Sequence, residues 1–134
     1  MTSAKSKLEE LFRALRESWG PDTCFRADDW DTDNPARGQC VSSSLVLQDY
    51  LGGDLLRFEV DAGAFTEKHY SNRLNDGTVI DATYQQYKMP VSLRYDPVAL
   101  KTYPSVREKR LAEASTRSKY EILKRRVAQK LESQ

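Results

Sequence analysis

The tripeptide Asn75-Asp76-Gly77, set between extended runs at residues 69–74 and 78–83, constrains this chain more than any other feature. Asn, Asp and Gly tolerate the positive φ of a tight hairpin, and the flanking runs supply two strands to pair. The loop length decides which side chains meet, because a shift of one residue turns every side chain over. With a three-residue loop and Gly77 left-handed, Leu74 pairs with Thr78 and Ser71 faces Asp81. His69 then opposes Thr83, and His69 and Asp81 share a face on a short diagonal. With a two-residue loop, Asp76-Gly77, Asn72 faces Asp81 and His69 points the other way. Both registers are open on sequence.

Around this hairpin the periodicity is mostly helical. Leu8, Leu11, Phe12, Leu15 and Trp19 predict an N-terminal helix over about 5–19, ended by Gly20-Pro21. Residues 20–38, rich in Asp and Pro, read as a long loop that is either functional or held by Phe25 and Trp30. Val41, Leu45, Val46 and Leu47 predict a buried helix at 40–51, stopped by Gly52-Gly53. A β-meander is expected over about 54–84, then an irregular stretch broken by Pro90, Pro97 and Pro104, then helices over about 105–132. Tyr120, Leu123, Val127 and Leu131 form the apolar stripe of the last helix. Lys124, Arg125, Arg126 and Lys130 read as its solvated face; with Lys119 they could alternatively form a docking surface for a partner or nucleic acid. The expected class is α+β: one domain spanning 1–134, with a small antiparallel sheet of about 3–5 strands and helices on one face.

The balance of 21 Lys and Arg against 20 Asp and Glu argues against a nucleic-acid binder that relies on a basic face. No run of about 18 apolar residues exists to span a bilayer. The first seven residues lack the apolar centre of a secretory signal, so the cytoplasm is the expected location. Cys24 and Cys40 match no metal-knuckle spacing; neither a disulfide between them nor a structural zinc is expected, and no cofactor is implied.

Chemistry converges on Cys40. It stands where a loop containing Gly38 gives way to a helix, and free amides at a helix N-terminus favour a thiolate. Gly38 would let a substrate approach the backbone; Gln39 and the Cys40 amide could stabilise an oxyanion. His69, the chain's one histidine, is the candidate base. Asp81 is the candidate orienting acid, with Asn72 as reserve orienter or substrate contact. Trp30 and Tyr70 are candidate substrate contacts, Tyr84 and Tyr87 candidate pocket or core residues. Nucleophile on a helix N-terminus, base on the next strand and acid on the one after is the chain order of papain-like and transglutaminase-like thiol enzymes, and a similar core arrangement is expected.

The chain also resembles a small bacterial family, the YunG-like proteins. The resemblance rests on Asn34-Pro35, Gly38-Gln39-Cys40, Leu47-Gln48-Asp49-Tyr50-Leu51-Gly52-Gly53, His69-Tyr70-Ser71-Asn72-Arg73-Leu74, Asp76-Gly77, Asp81-Ala82-Thr83, Gln86-Tyr87 and the closing block from Lys119 to Val127. Ser71 stands where Trp is usual, which would loosen the pocket wall, and Ala82 where Leu is usual. The resemblance implies a shared fold more than an activity, and favours a thiol-centred site because its blocks surround Cys40, His69 and Asp81.

The expected function is a thiol-dependent hydrolase or acyltransferase acting on an amide, ester or thioester bond of a small-molecule or peptide substrate. The alternative is a non-catalytic small-ligand or protein-binding domain, in which Cys40 is buried and His69 bonds a carbonyl.

Overall fold

The computed structural model describes residues 4–88, 91–95 and 105–133. Among the described residues four α-helices, α1 (Ala4–Ser18), α2 (Cys40–Leu51), α3 (Val106–Leu111) and α4 (Ala114–Glu132), accompany four strands. The strands are β1 (Asp54–Asp61), β2 (Thr66–Arg73), β3 (Val79–Ile80) and β4 (Ser92–Tyr95), arranged as an antiparallel sheet in the order β3-β2-β1-β4. This is an α+β fold. The expected breakers Pro90, Pro97 and Pro104 lie outside the described residues.

Helix α2 is the hub, because its residues from Val41 to Leu47 are all buried. A helix that is covered nearly all round needs packing on several sides. It meets α4 on one side and β2 on the other. Leu11, Ala14 and Leu15 of α1 and Tyr120, Leu123 and Val127 of α4 join Leu45, Val46 and Leu47 in one core. Trp19 closes α1 onto α2 by donating its indole N–H to the Ser43 hydroxyl at 2.9 Å.

The basic face of α4 is largely solvated, as its pattern indicates, but some of its cations also reach acceptors in the protein. Arg126 binds the Ser18 carbonyl and the Asp22 carboxylate, and Lys119 donates to the Phe25 carbonyl at 2.6 Å. Lys124 lies 3.9 Å from Asp49. These cations tie α4 to the loop at 20–38 and to α2, since a charge beside a carbonyl or carboxylate bonds it more strongly than a neutral donor would.

The hairpin adopts the three-residue loop. Leu74 N–H donates to the Thr78 carbonyl at 2.8 Å and Gly77 N–H to the Leu74 carbonyl at 2.9 Å. Gly77 has φ of 89°, a conformation that a side chain would strain. Asn72 pairs with Ile80 and Arg73 with Val79, after which β3 ends. Asp81 is therefore the first residue beyond the strand, in the register that brings it to the His69 side of β2.

Candidate active site

His69 sits in mid-β2, opposite Phe58 of β1, and is fully buried. Its Nε2 lies 2.6 Å from the Asp81 Oδ2. Asp81 is itself held, because its Oδ1 accepts from the Thr83 N–H at 3.2 Å. Burial alone would lower the imidazole pKa. The Asp81 carboxylate and then Cys40 outweigh it and raise it from 6.5 to about 9. The ring is thus a stabilised imidazolium at neutral pH. Its other nitrogen, Nδ1, is buried with no hydrogen-bond partner in the protein. The Cys40 thiol raises the ring's pKa as a hydrogen-bonding and charged neighbour, although Nδ1 has no partner in strict hydrogen-bonding geometry.

Strand alternation sets which side chains of β2 face α2. Tyr70 and Asn72 face α2, and the Asn72 side-chain amide donates to the Ser44 carbonyl at 2.9 Å. His69 is on the opposite face by its odd spacing from both. Because β3 pairs with β2 only at Asn72 and Arg73, the outer edge of β2 has no strand neighbour beside His69 among the described residues.

Cys40 is the first residue of α2 and half-buried. Gln39, which precedes it, makes no side-chain cap, so the first amides of the helix keep their free N–H groups. The expected oxyanion role of the Gln39 side chain does not fit its contacts. Gln39 is fully buried, its Nε2 donates to the Gly20 carbonyl at 3.1 Å, and its Oε1 accepts from the Thr23 hydroxyl at 2.8 Å. It pins the loop to the helix start. Gly38 has φ of 77°, and a Cβ there would come within 2.4 Å of the Cys24 Sγ. The close approach at Gly38 is therefore made by Cys24. That buried thiol sits 3.1 Å from the Arg26 carbonyl and 3.2 Å from the Arg37 carbonyl, and burial pushes its pKa up. Cys24 organises the loop and Cys40 faces space; both are free thiols.

The space is a cavity of about 560 Å³ whose walls include Cys40, Gly38, Tyr70, Arg37, Glu67 and Gln86. Trp30 is not on that wall; its indole N–H donates to the Pro35 carbonyl at 3.2 Å and closes the loop on itself. Asn72 does not orient His69, since its amide serves α2 and its Oδ1 has no partner.

Several site neighbours have no local signature in the sequence. Arg37 pairs with Glu67 at 2.7 Å and touches the Gln86 side-chain oxygen at 3.2 Å, linking the loop, β2 and the turn after β3. Tyr87 packs edge-on against the His69 ring at 5.4 Å between centroids. Its phenol oxygen is buried without a partner, and burial pushes its pKa up. Among the described residues no group of three or more His, Cys, Asp or Glu could hold a metal ion, and no helix is long and apolar enough to cross a membrane.

Comparison with known proteins gives two matches. A family model described as "YunG protein" matches residues 7–132. A Bacillus subtilis (strain 168) protein called "Uncharacterized protein YunG" is 30% identical over 90 residues, covering 67% of this chain and 71% of the relative. No solved structure matches.

Proposed function

The chain belongs to the YunG protein family, and from the geometry around Cys40 we propose that it is a thiol-dependent hydrolase or acyltransferase for an amide, ester or thioester. The observation that carries this reading is the buried Asp81–His69 pair at 2.6 Å, with the remaining ring nitrogen unpartnered and Cys40 acting on the ring. Asp81 on Nε2 leaves Nδ1 as the atom that exchanges a proton with the thiol.

In the proposed reaction Nδ1 of the imidazolium already holds the proton given up by Cys40, and the resulting thiolate sulfur bonds the substrate carbonyl carbon. The free amides at the start of α2, that of Cys40 foremost, meet the developing oxyanion. Collapse breaks the bond to the leaving group, which takes the proton from His69, and a thioester on Cys40 remains. Water or an acceptor then attacks the thioester, His69 takes its proton, and the thiol is released. Papain-like and transglutaminase-like enzymes share this order of groups along the chain, and we extend the likeness to the arrangement of the core. Two free cysteines suit a reducing compartment, and we place the work in the cytoplasm.

One observation favours the non-catalytic alternative: Nδ1 has no partner in strict hydrogen-bonding geometry, as suits a binding pocket with a bystander cysteine. Alkylation separates the two readings. Iodoacetamide at pH 7 should modify Cys40 faster than it does in the urea-unfolded chain, and His69→Ala should slow the folded reaction by about 100-fold. A folded rate no higher than the unfolded one removes the catalytic reading.

A further inference from the structure

We propose that the substrate carries an apolar group beside its scissile carbonyl, held in the Cys40 cavity against the rings of Phe25 and Phe65. This deepens the reading above and rests on it. Both rings belong to the wall that contains Cys40, Phe25 from the loop at 20–38 and Phe65 from the turn between β1 and β2. Phe25 is 55% exposed and Phe65 45%, among the most exposed large apolar side chains of the described residues. A single exposed Phe is ordinary, but two on the wall of one cavity form an apolar surface that only an apolar ligand covers with profit. Val41 and Tyr70 add to that surface next to Cys40.

The two rings are also held in place. The Lys119 ammonium stands 5.5 Å from the centre of the Phe25 ring and donates to the Phe25 carbonyl at 2.6 Å. The Arg37 guanidinium carbon stands 5.5 Å from the centre of the Phe65 ring, and Glu67 fixes that arginine at 2.7 Å. A cation over one face restrains a ring that would otherwise swing, so less side-chain freedom is lost when a ligand meets the ring. Three cations of the wall are meanwhile engaged within the protein. Arg37 pairs with Glu67, Lys68 with Glu59 at 3.1 Å, and Arg110 with Glu113 at 3.0 Å and Thr116 at 3.4 Å. Phe65 also borders a second cavity of about 360 Å³, where Ala62, Ala64 and Val91 continue the apolar surface past it. Cavities of this size, apolar with a few polar groups, suit small apolar ligands.

Active esters that differ only in the group next to the carbonyl test this. Acylation of Cys40 is followed as p-nitrophenolate release, less the release by Cys40→Ser. The p-nitrophenyl esters are those of acetate, hexanoate, N-acetylglycine and N-acetylleucine. Two rate ratios, hexanoate to acetate and N-acetylleucine to N-acetylglycine, are compared between folded and urea-unfolded chain. We expect at least one folded ratio to exceed the unfolded one by about tenfold, the effect of burying about two methylenes. A preference for hexanoate alone identifies a fatty acyl chain, and one for N-acetylleucine alone an apolar residue of a peptide. A preference for both supports an apolar site that takes either, and equal ratios in folded and unfolded chain overturn the proposal. Phe25→Ala and Phe65→Ala, both at half-exposed positions where truncation spares the core, should each bring the preferred ratio toward the unfolded value. Phe65→Leu, which keeps an apolar side chain, should retain most of it. Ratios unchanged in both alanine variants also overturn the proposal. Slow folded reactions with the acetate ester and with iodoacetamide are a failure of the thiol chemistry, whereas fast acetate with no apolar preference is a failure of the substrate assignment alone.

Discussion

Two polar clusters flank α2, and they are built on opposite terms. At its C-terminal end Asp49 accepts from the Tyr120 hydroxyl at 2.5 Å and from Arg107 at 2.8 Å. The same guanidinium reaches the Leu45 carbonyl at 3.2 Å and the Gln48 side chain at 3.1 Å, and none of these side chains has a buried atom without a partner. At the N-terminal end the Asp81–His69 bond is as short, but the groups around it are not satisfied. His69 Nδ1, Ser71 Oγ on the same face of β2 and the Tyr87 hydroxyl are buried without a partner in the protein. A saturated network fastens α3 and α4 to α2. An unsaturated one leaves polar atoms that no protein group meets and that water or a ligand is free to bond.

The largest expected difference between the clusters is in pH dependence. The folded protein raises His69 from 6.5 to about 9, so its charged form is favoured by folding. That contribution is fully present below about pH 6 and is lost as pH rises through 9, with a magnitude of up to about 3 kcal/mol. Urea unfolding at pH 6 and pH 10 should show this loss in the natural chain and much less of it in Asp81→Asn. Equal losses in both would mean that the carboxylate does not hold the imidazolium, and the contrast would collapse at its centre. The next effect belongs to the other cluster. Asp49→Ala removes the acceptor of both Tyr120 and Arg107 and should lower stability by about 2 kcal/mol. The iodoacetamide rate at Cys40 should stay the same while the chain remains folded. A fall in that rate would show that the two ends of α2 are coupled.

What could be read in the sequence divides along the same line. Helix α2 was legible to its ends, since Gly52-Gly53 and the run from Val41 to Leu47 are local signals. So was the hairpin, but not its register: Asn75-Asp76-Gly77 suits two loop lengths, and only the Leu74–Thr78 pairing with Gly77 at 89° selects one. That selection brings His69 and Asp81 together. Gln39 was misread because an amide beside Cys40 looks like a donor for chemistry, whereas Gly20 and Thr23, 19 and 16 residues away, already hold it. Arg37 and Glu67, 30 residues apart, carry no periodicity that would announce their pairing. Local propensity writes helices and turns; contacts between a loop and a distant strand are settled only by packing.

The smallest expected effect cuts closest to the contrast. Tyr87→Phe deletes one buried hydroxyl beside the His69 ring and keeps the edge-on aromatic contact at 5.4 Å. Where a hydroxyl has a good partner, this change destabilises by about 1 kcal/mol; where it has none, it removes a desolvation penalty and stabilises by a similar amount. The unsaturated cluster therefore predicts a higher urea midpoint for Tyr87→Phe, opposite in sign to the same substitution at Tyr120, whose hydroxyl is bonded to Asp49. If the phenol assists at the thiol, the stabilised variant also alkylates more slowly at Cys40, an exchange of reactivity for stability typical of sites kept ready for a ligand. A lower midpoint for Tyr87→Phe would mean that its hydroxyl is satisfied, and that the two ends of α2 differ less than their geometry indicates.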